Sequence, residues 1–170
     1  MQASLGDCTN VRPDLQLRMF DVLVYLFENY YQTETYPDQD TLTRKLHAAG
    51  FENDDIHDAL DWLNTLAQVH QDGLPESLDA RFSFRGYTSD EATKLSMEGR
   101  GFVAFLEGAK ILTPVLRELI IERAMALPDE IVGLNKLKVI VLMVLWTRRG
   151  NVDALVLDEL LPDGEKRQMH

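Results

Sequence analysis

Residues 40–66 read DTLTRKLHAAGFENDDIHDALDWLNTL, and this stretch decides the fold. It begins with an amphipathic segment, stops at Gly50 and continues as a second amphipathic segment. Gly50 suits the left-handed position that commonly follows the last turn of a helix, and Phe51 suits the apolar contact that accompanies it. Asp40 and Asn53 are the expected N-caps of the two helices. The pattern predicts two helices joined by a tight turn, the core of a helix-turn-helix.

The second helix of this motif has the wrong charge for binding DNA. Its outer face is expected to carry four acids and no Lys or Arg; the acids are Asp54, Asp55, Asp58 and Asp61. A recognition helix needs groups that read base edges, and its surroundings need cations that contact phosphates. Because four carboxylates would repel the phosphate backbone, direct DNA binding by this helix is disfavoured. We interpret the four acids as a candidate face for a basic partner.

The whole chain is acidic, and the excess of acids lies in its first half. The 170 residues carry a formal net charge of −11. Residues 19–88 hold thirteen Asp or Glu against four Lys or Arg, whereas residues 89–170 hold thirteen against eleven. Four cations that flank the most apolar segment form a candidate cationic patch: Lys136, Lys138, Arg148 and Arg149. Such a patch would give nucleic acid a weak, salt-sensitive contact.

Helical signals continue on both sides of the motif. Residues 19–31 carry a wide apolar stripe at helical spacing, which predicts a first helix. Thr88 and Glu91 form a capping box, and Thr113-Pro114 is a typical helix start. Residues 134–148 are apolar on nearly all sides, which predicts a buried helix. Their longest apolar run is about half of what a membrane span needs.

The fold class is therefore predicted as mainly α, with eight helices and at most two or three short strands. One strand is expected at residues 81–85 and a last helix at residues 152–161. Five of the helices are expected to supply the core side chains: Leu23, Phe27, Leu60, Leu63, Phe105, Leu106, Ile120, Leu142 and Leu145.

These elements predict a winged-helix-like N-terminal lobe packed on a C-terminal helical bundle. The first lobe contains the helix-turn-helix and spans residues 19–88, and the second spans residues 89–161. Helices one, five, six and seven are expected to form the shared core. Residues 1–18 and 162–170 are polar ends, and we interpret them as a flexible arm and a flexible tail.

No motif in the sequence indicates catalysis, a cofactor or a metal site. There is no glycine-rich phosphate loop and no nucleotide fingerprint. His47, His57 and His70 lack the local spacing of a zinc site. Cys8 is the one cysteine, which excludes an intrachain disulfide and suits a cytoplasmic protein. We expect a non-enzymatic protein; an unrecognised enzyme would need a buried carboxylate or histidine in a deep pocket.

Several segments resemble the bacterial Smg family. They are residues 19–28, 49–51, 59–63, 85–88, 100–102, 105–107, 117–118, 122–123, 137–138 and 142–145. The resemblance covers about residues 19–161, and residues 1–18 stand outside it as an extension or a misassigned start. It implies a small, acidic, mainly helical cytoplasmic protein of unassigned function. It carries over no catalytic or ligand residue.

Two classes of function remain. The first is an interaction module that docks a basic surface of a protein partner, with charge steering the encounter and apolar contacts holding the complex. The alternative is a nucleic-acid-associated regulator that uses the C-terminal cations or a dimer surface. Saturable binding of DNA or RNA at moderate salt would favour the alternative.

Overall fold

The computed structural model describes residues 13–30, 37–68, 85–148 and 160. These ranges contain seven α-helices and no sheet, which confirms a mainly α fold. The helices are α1 (Pro13–Tyr30), α2 (Gln39–Ala48), α3 (Asn53–Gln68), α4 (Ser89–Lys94), α5 (Met97–Gly108), α6 (Pro114–Met125) and α7 (Leu134–Thr147).

Helix α7 lies at the centre of the described structure. Its nine consecutive residues from Leu137 to Leu145 are all buried, as the uniformly apolar sequence predicts. It packs against α1, α3, α5 and α6. The expected sharing of one core by helices one, five, six and seven is thus confirmed, and α3 joins them. A helix surrounded in this way leaves its neighbours to present their outer faces to solvent.

Helix α1 begins earlier than its apolar stripe indicates. The predicted start at Met19 is wrong by six residues, because the helix begins at Pro13. Proline fits the first turn of a helix, where its missing N–H has no intrahelical partner. The buried stripe itself runs from Met19 to Tyr30, as expected. The periodicity therefore located the packed part of the helix and missed its first six residues.

The turn between α2 and α3 follows the local chemistry of its sequence. Gly50 has φ 99°, and the Phe51 N–H donates to the Leu46 carbonyl at 3.2 Å, as in a Schellman motif. The predicted caps are wrong. Asp38, rather than Asp40, caps α2 by accepting from the Thr41 N–H, and Asn53 is the first residue of α3. Each helix therefore begins one or two residues earlier than its predicted start.

The helix starts predicted in the second half are confirmed. Thr88 and Glu91 form both hydrogen bonds of the capping box at α4. Thr113 caps α6, and Pro114 is its first residue. One parallel bridge joins Leu95, which lies between α4 and α5, to Val132, which lies between α6 and α7.

Most of the expected core is confirmed, and one residue is wrong. Six of the nine residues are buried: Leu23, Phe27, Leu106, Ile120, Leu142 and Leu145. Leu60 and Leu63 are partly buried against the core. Phe105 is instead 63% exposed.

The register of α5 explains why Phe105 points outward. Gly99, Val103 and Leu106 are the buried residues of this helix. A Cβ at Gly99 would lie 3.0 Å from a methyl carbon of Leu137, so this glycine lets α5 approach α7 closely. Phe105 is on the opposite side of the helix from Val103, and it therefore faces solvent.

Some predictions fall on residues that the structure leaves undescribed. The expected strand lies there almost entirely, and so does the last helix apart from Leu160, which is helical and buried. The division into two lobes, the arm and the tail stay predictions.

Candidate functional site

Three of the four predicted acids of α3 share its outer face. Asp54, Asp58 and Asp61 are all exposed, and their spacing of four and three residues places them along one side of the helix. Asp61 also contacts the His57 imidazole, with 3.2 Å between Oδ2 and Nε2. We refer to Asp54, Asp58 and Asp61 as the acidic face.

Asp55 does not belong to the acidic face, which corrects the prediction. Only 2% of its surface is exposed, and its Oδ2 has no hydrogen-bond partner in the part of the chain that is described. Burial raises the pKa of this carboxyl, while the nearby charge of Arg18 opposes the rise. Asp55 lies on the same side of α3 as the buried Ala59 and Leu66, so the position in the helix overrides the polarity of the residue.

Within the described residues, Lys136 and Lys138 of the predicted cationic patch do not form an open basic surface. The Lys136 ammonium forms an ion pair with Asp129 and also lies 5.7 Å from the centre of the Phe20 ring. Lys138 is buried, with its ammonium 5.7 Å from the centre of the Phe102 ring. Both cations therefore have their main contacts inside the fold.

The other two cations of the predicted patch are Arg148 and Arg149. Arg148 is the C-cap of α7, and burial lowers the pKa of its guanidinium. Its Nε has no hydrogen-bond partner within the described residues. Arg149 lies outside the described residues.

The structure brings together a set of ion pairs that the sequence did not reveal. Arg85 donates two hydrogen bonds to Glu91, at 2.8 and 2.9 Å, and its Nε lies 2.6 Å from Glu118 Oε1. Arg117 contacts the same Glu118 oxygen at 2.9 Å and Glu107 at 2.5 Å. We refer to Arg85, Glu91, Glu107, Arg117 and Glu118 as the ion-pair network.

An aromatic ring adjoins the ion-pair network. The guanidinium carbons of Arg85 and Arg100 lie 5.5 and 5.7 Å from the centre of the Tyr87 ring. Burial raises the pKa of the Tyr87 hydroxyl. Guanidinium groups over an aromatic face are held by cation–π attraction. The segment before α4 is thereby fastened to α5 as well as to α6.

Arg85 holds the Glu91 carboxylate of the network in the ionised state. The hydrogen bonds from Arg85 lower the pKa of Glu91 to about 2, and the bond from Glu91 raises the pKa of Arg85. A general acid near neutral pH needs a shift in the other direction. The arrangement therefore favours a structural role for these charges, in which paired side chains join three helices.

Some of the charged residues of α6 pair with their neighbours in the chain. Arg117 contacts Glu118, and Arg123 contacts Glu122 at 2.9 Å. The partners Glu107 and Arg85 come from segments 10 and 33 residues away in the chain from Arg117 and Glu118. The sequence did hold one signal for this network: Arg85, Glu107, Arg117 and Glu118 all lie in segments that resemble the Smg family.

Within the described residues, no group of three or more His, Cys, Asp or Glu side chains is close enough to hold a metal ion. None of the described helices combines the length and apolarity that crossing a membrane requires. A cleft of about 420 Å³ opens between α1 and α2, and its lining residues are Tyr25, Asn29, Tyr30, Lys45, Ala48 and Ala49.

The fold and its charges define a class of protein: a small helical protein with a buried central helix, an internal ion-pair network and an acidic outer helix. The family described as "Protein of unknown function (DUF494)" matches residues 19–170. The chain therefore belongs to this family, which confirms the resemblance to Smg proteins.

Similar curated proteins carry the Smg name. A "Protein Smg homolog" from Azoarcus sp. (strain BH72) is 52% identical over 143 residues, covering 84% of this chain and 92% of the relative. Another from Bordetella avium (strain 197N) is 47% identical over 152 residues, covering 89% of this chain and all of the relative. No solved structure matches the chain.

Proposed function

We propose that this protein is a non-enzymatic cytoplasmic interaction module whose acidic face docks a basic surface of a protein partner. The observation that carries the proposal is the common exposure of Asp54, Asp58 and Asp61 on one side of α3. Carboxylates fixed on a helix create a local field that attracts a cationic surface and speeds the encounter.

The packing of α3 supports this role. Its inner side is held by α1, α2 and α7, so the three carboxylates are mounted on an element that does not need to fold on binding. The charges of the acidic face contribute little to that packing because they are exposed. A face of this kind can be selected for a partner at small cost to stability.

The alternative, a nucleic-acid contact through the C-terminal cations, has less support. Lys136 and Lys138 are engaged with Asp129, Phe20 and Phe102 rather than presented together. Withdrawing them from these contacts would cost interactions within the fold.

The test uses a lysine-rich peptide as the probe. The variant Asp54→Asn/Asp58→Asn is compared with Asp90→Asn/Glu130→Gln, which changes the net charge equally at exposed positions. Asp54 and Asp90 are both second residues of their helices, so the loss of favourable charge at a helix start is also matched.

We expect the acidic-face variant to bind the peptide about fivefold more weakly than the control variant in fluorescence anisotropy at low salt. Equal losses for the two variants would mean that the net charge alone attracts the peptide, and this would reject the proposal. Saturable binding of duplex DNA or RNA at moderate salt would replace it with the alternative.

A further inference from the structure

The outer face of α5 is apolar and has no covering element among the described residues. Met97 is 74% exposed and Phe105 is 63% exposed. Ile131 is also 63% exposed. It precedes Val132, and the bridge between Val132 and Leu95 places this segment next to the start of α5. Most large apolar side chains in a folded chain of this size are buried, so a cluster of exposed ones marks an interaction surface.

Small residues continue this face along the helix. Gly101, Ala104 and Gly108 are exposed on the same side of α5 as Met97 and Phe105. A Cβ at Gly101 or Gly108 would meet nothing within 4 Å, and neither glycine has positive φ. A glycine inside a helix is less stable than an alanine there, because glycine loses more backbone freedom on folding. No contact within the described fold requires a glycine at position 101. A glycine there would, however, allow the backbone of another helix to approach closely.

The two ends of α5 carry opposite exposed charges. Glu98 lies in the first turn, and Lys110 follows the last turn, about 18 Å further along the helix axis. Lys110 adopts φ 62°, the left-handed position that usually takes glycine at a helix end. The sequence thus keeps a lysine where a glycine would be less strained.

We propose that this face of α5 binds the same face of a second copy of this chain, with the two helices antiparallel. A two-fold axis between Ala104 and Phe105 pairs residues at about equal distances on its two sides. Gly101 then faces Gly108 of the other copy, and Phe105 packs beside Ala104 of the other copy. Glu98 of each copy reaches Lys110 of the other, so the contact contains two identical ion pairs.

Charge complementarity is the reason for choosing a second copy as the occupant. The chain has a net charge of −11, so two copies repel each other over most of their surfaces. At the two ends of α5, the exposed charges of Glu98 and Lys110 are opposite, and the side chains of the face between them are uncharged. Each charge of this helix meets the opposite charge of a second copy only when the two helices run antiparallel. This proposal does not depend on the acidic face.

The decisive test exchanges the end charges. Glu98→Lys alone and Lys110→Glu alone each place like charges at both ends of the pair, and we expect the dissociation constant of each homodimer to rise about tenfold. A mixture of the two variants restores both opposite-charge pairs in a heterodimer. The double variant restores them in a homodimer. Sedimentation velocity across a wide concentration range measures all four cases.

Two further variants separate the apolar contact from folding. Phe105→Glu should raise the dissociation constant about 100-fold and leave the unfolding curve of the monomer nearly unchanged. Lys110→Gly should weaken the dimer about threefold, yet raise the melting temperature of the monomer by about 2 °C because the left-handed residue is relieved. A variant that is merely destabilised would not combine a weaker dimer with a higher melting temperature of the monomer.

A wild-type protein that stays monomeric into the millimolar range would overturn the proposal. A dimer that is indifferent to Phe105→Glu, or a mixture of the charge variants that does not pair, would also overturn it.

Discussion

The acidic face of α3 and the ion-pair network use their carboxylates in opposite ways. On α3, Asp54 and Asp58 point into water and have no cation on their own helix. In the network, Glu118 has 22% of its side chain exposed and contacts two arginines, and Arg117 has 8% exposed. Water screens the first set, whereas the protein itself neutralises the second.

This difference separates charges that hold the fold from charges that are available to a partner. An exposed carboxylate keeps its hydration, so removing it costs little, and a partner can neutralise it. A paired and partly buried carboxylate has exchanged its hydration for arginines, so removing one member leaves the others uncompensated. The two regions therefore predict a graded series of responses to substitution.

The largest effect is expected at Arg117. Arg117→Met would leave Glu107 without its 2.5 Å contact and Glu118 with one arginine instead of two. We expect the free energy of unfolding in urea to fall by about 3 kcal/mol. Arg44→Met is the matched control, because Arg44 is exposed and its side chain makes one hydrogen bond of 3.3 Å, to Thr41, among the described residues. Similar losses for both variants would remove the distinction between the two regions.

The next effect is expected at Glu91, with a defined dependence on pH. Glu91→Gln should cost about 2 kcal/mol at pH 7, since charged hydrogen bonds are replaced by weaker ones. The folded pKa of about 2 lies below the ordinary value of 4.5, so the contribution of Glu91 is complete above pH 4.5. It is lost as the pH falls towards 2.

Urea titrations at several pH values check this sign. The gap between the wild type and Glu91→Gln should narrow as the pH falls from 4.5 towards 2. If the difference in free energy of unfolding stays constant over this range, the ionised form of Glu91 does not stabilise the fold.

A smaller effect of opposite sign is expected at Asp55. Burial raises the pKa of this carboxyl, so its ionised form opposes folding at neutral pH. Asp55→Asn should raise the free energy of unfolding by about 1 kcal/mol at pH 7. The advantage should shrink at lower pH, where the wild-type carboxyl is protonated and is no longer penalised. Asp54→Asn, one residue earlier and exposed, should give no such gain.

The smallest effect on stability is expected on the acidic face. Asp58→Ala should change the free energy of unfolding by less than about 0.5 kcal/mol, because the carboxylate is exposed. The same variant should bind a lysine-rich peptide more weakly in anisotropy measurements. A large loss of stability would mean that Asp58 supports the fold instead of a partner.

Short-range sequence signals predicted many of the elements. Thr88 with Glu91, Thr113 with Pro114, and Gly50 with Phe51 each act within a few residues, so their hydrogen bonds could be expected without a tertiary structure. The prediction of caps failed at Asp40 because Asp38, two residues earlier, offers the same carboxylate. Of the four acids that were predicted to lie on the outer face of α3, Asp54, Asp58 and Asp61 are exposed and Asp55 is buried.

The predictions that failed concern the side of a helix that is buried. Asp55 was assigned to the outside because it is charged, and Phe105 to the inside because it is aromatic. Both assignments were wrong, since the packing of α3 and α5 against their neighbours sets which side is covered. Residue type gives only an average preference for burial.

By itself, the sequence determined the helical fold class, the uniformly buried α7 and the excess of acid in the first half, because each depends on composition or on residues close together in the chain. Only the tertiary structure decided which charges meet. Arg85 and Glu118 are 33 residues apart, and nothing local to either requires the contact. The packing of α4, α5 and α6 brings them to 2.6 Å. The same packing leaves Phe105 exposed and Asp55 covered, because burial depends on the surface that each helix meets.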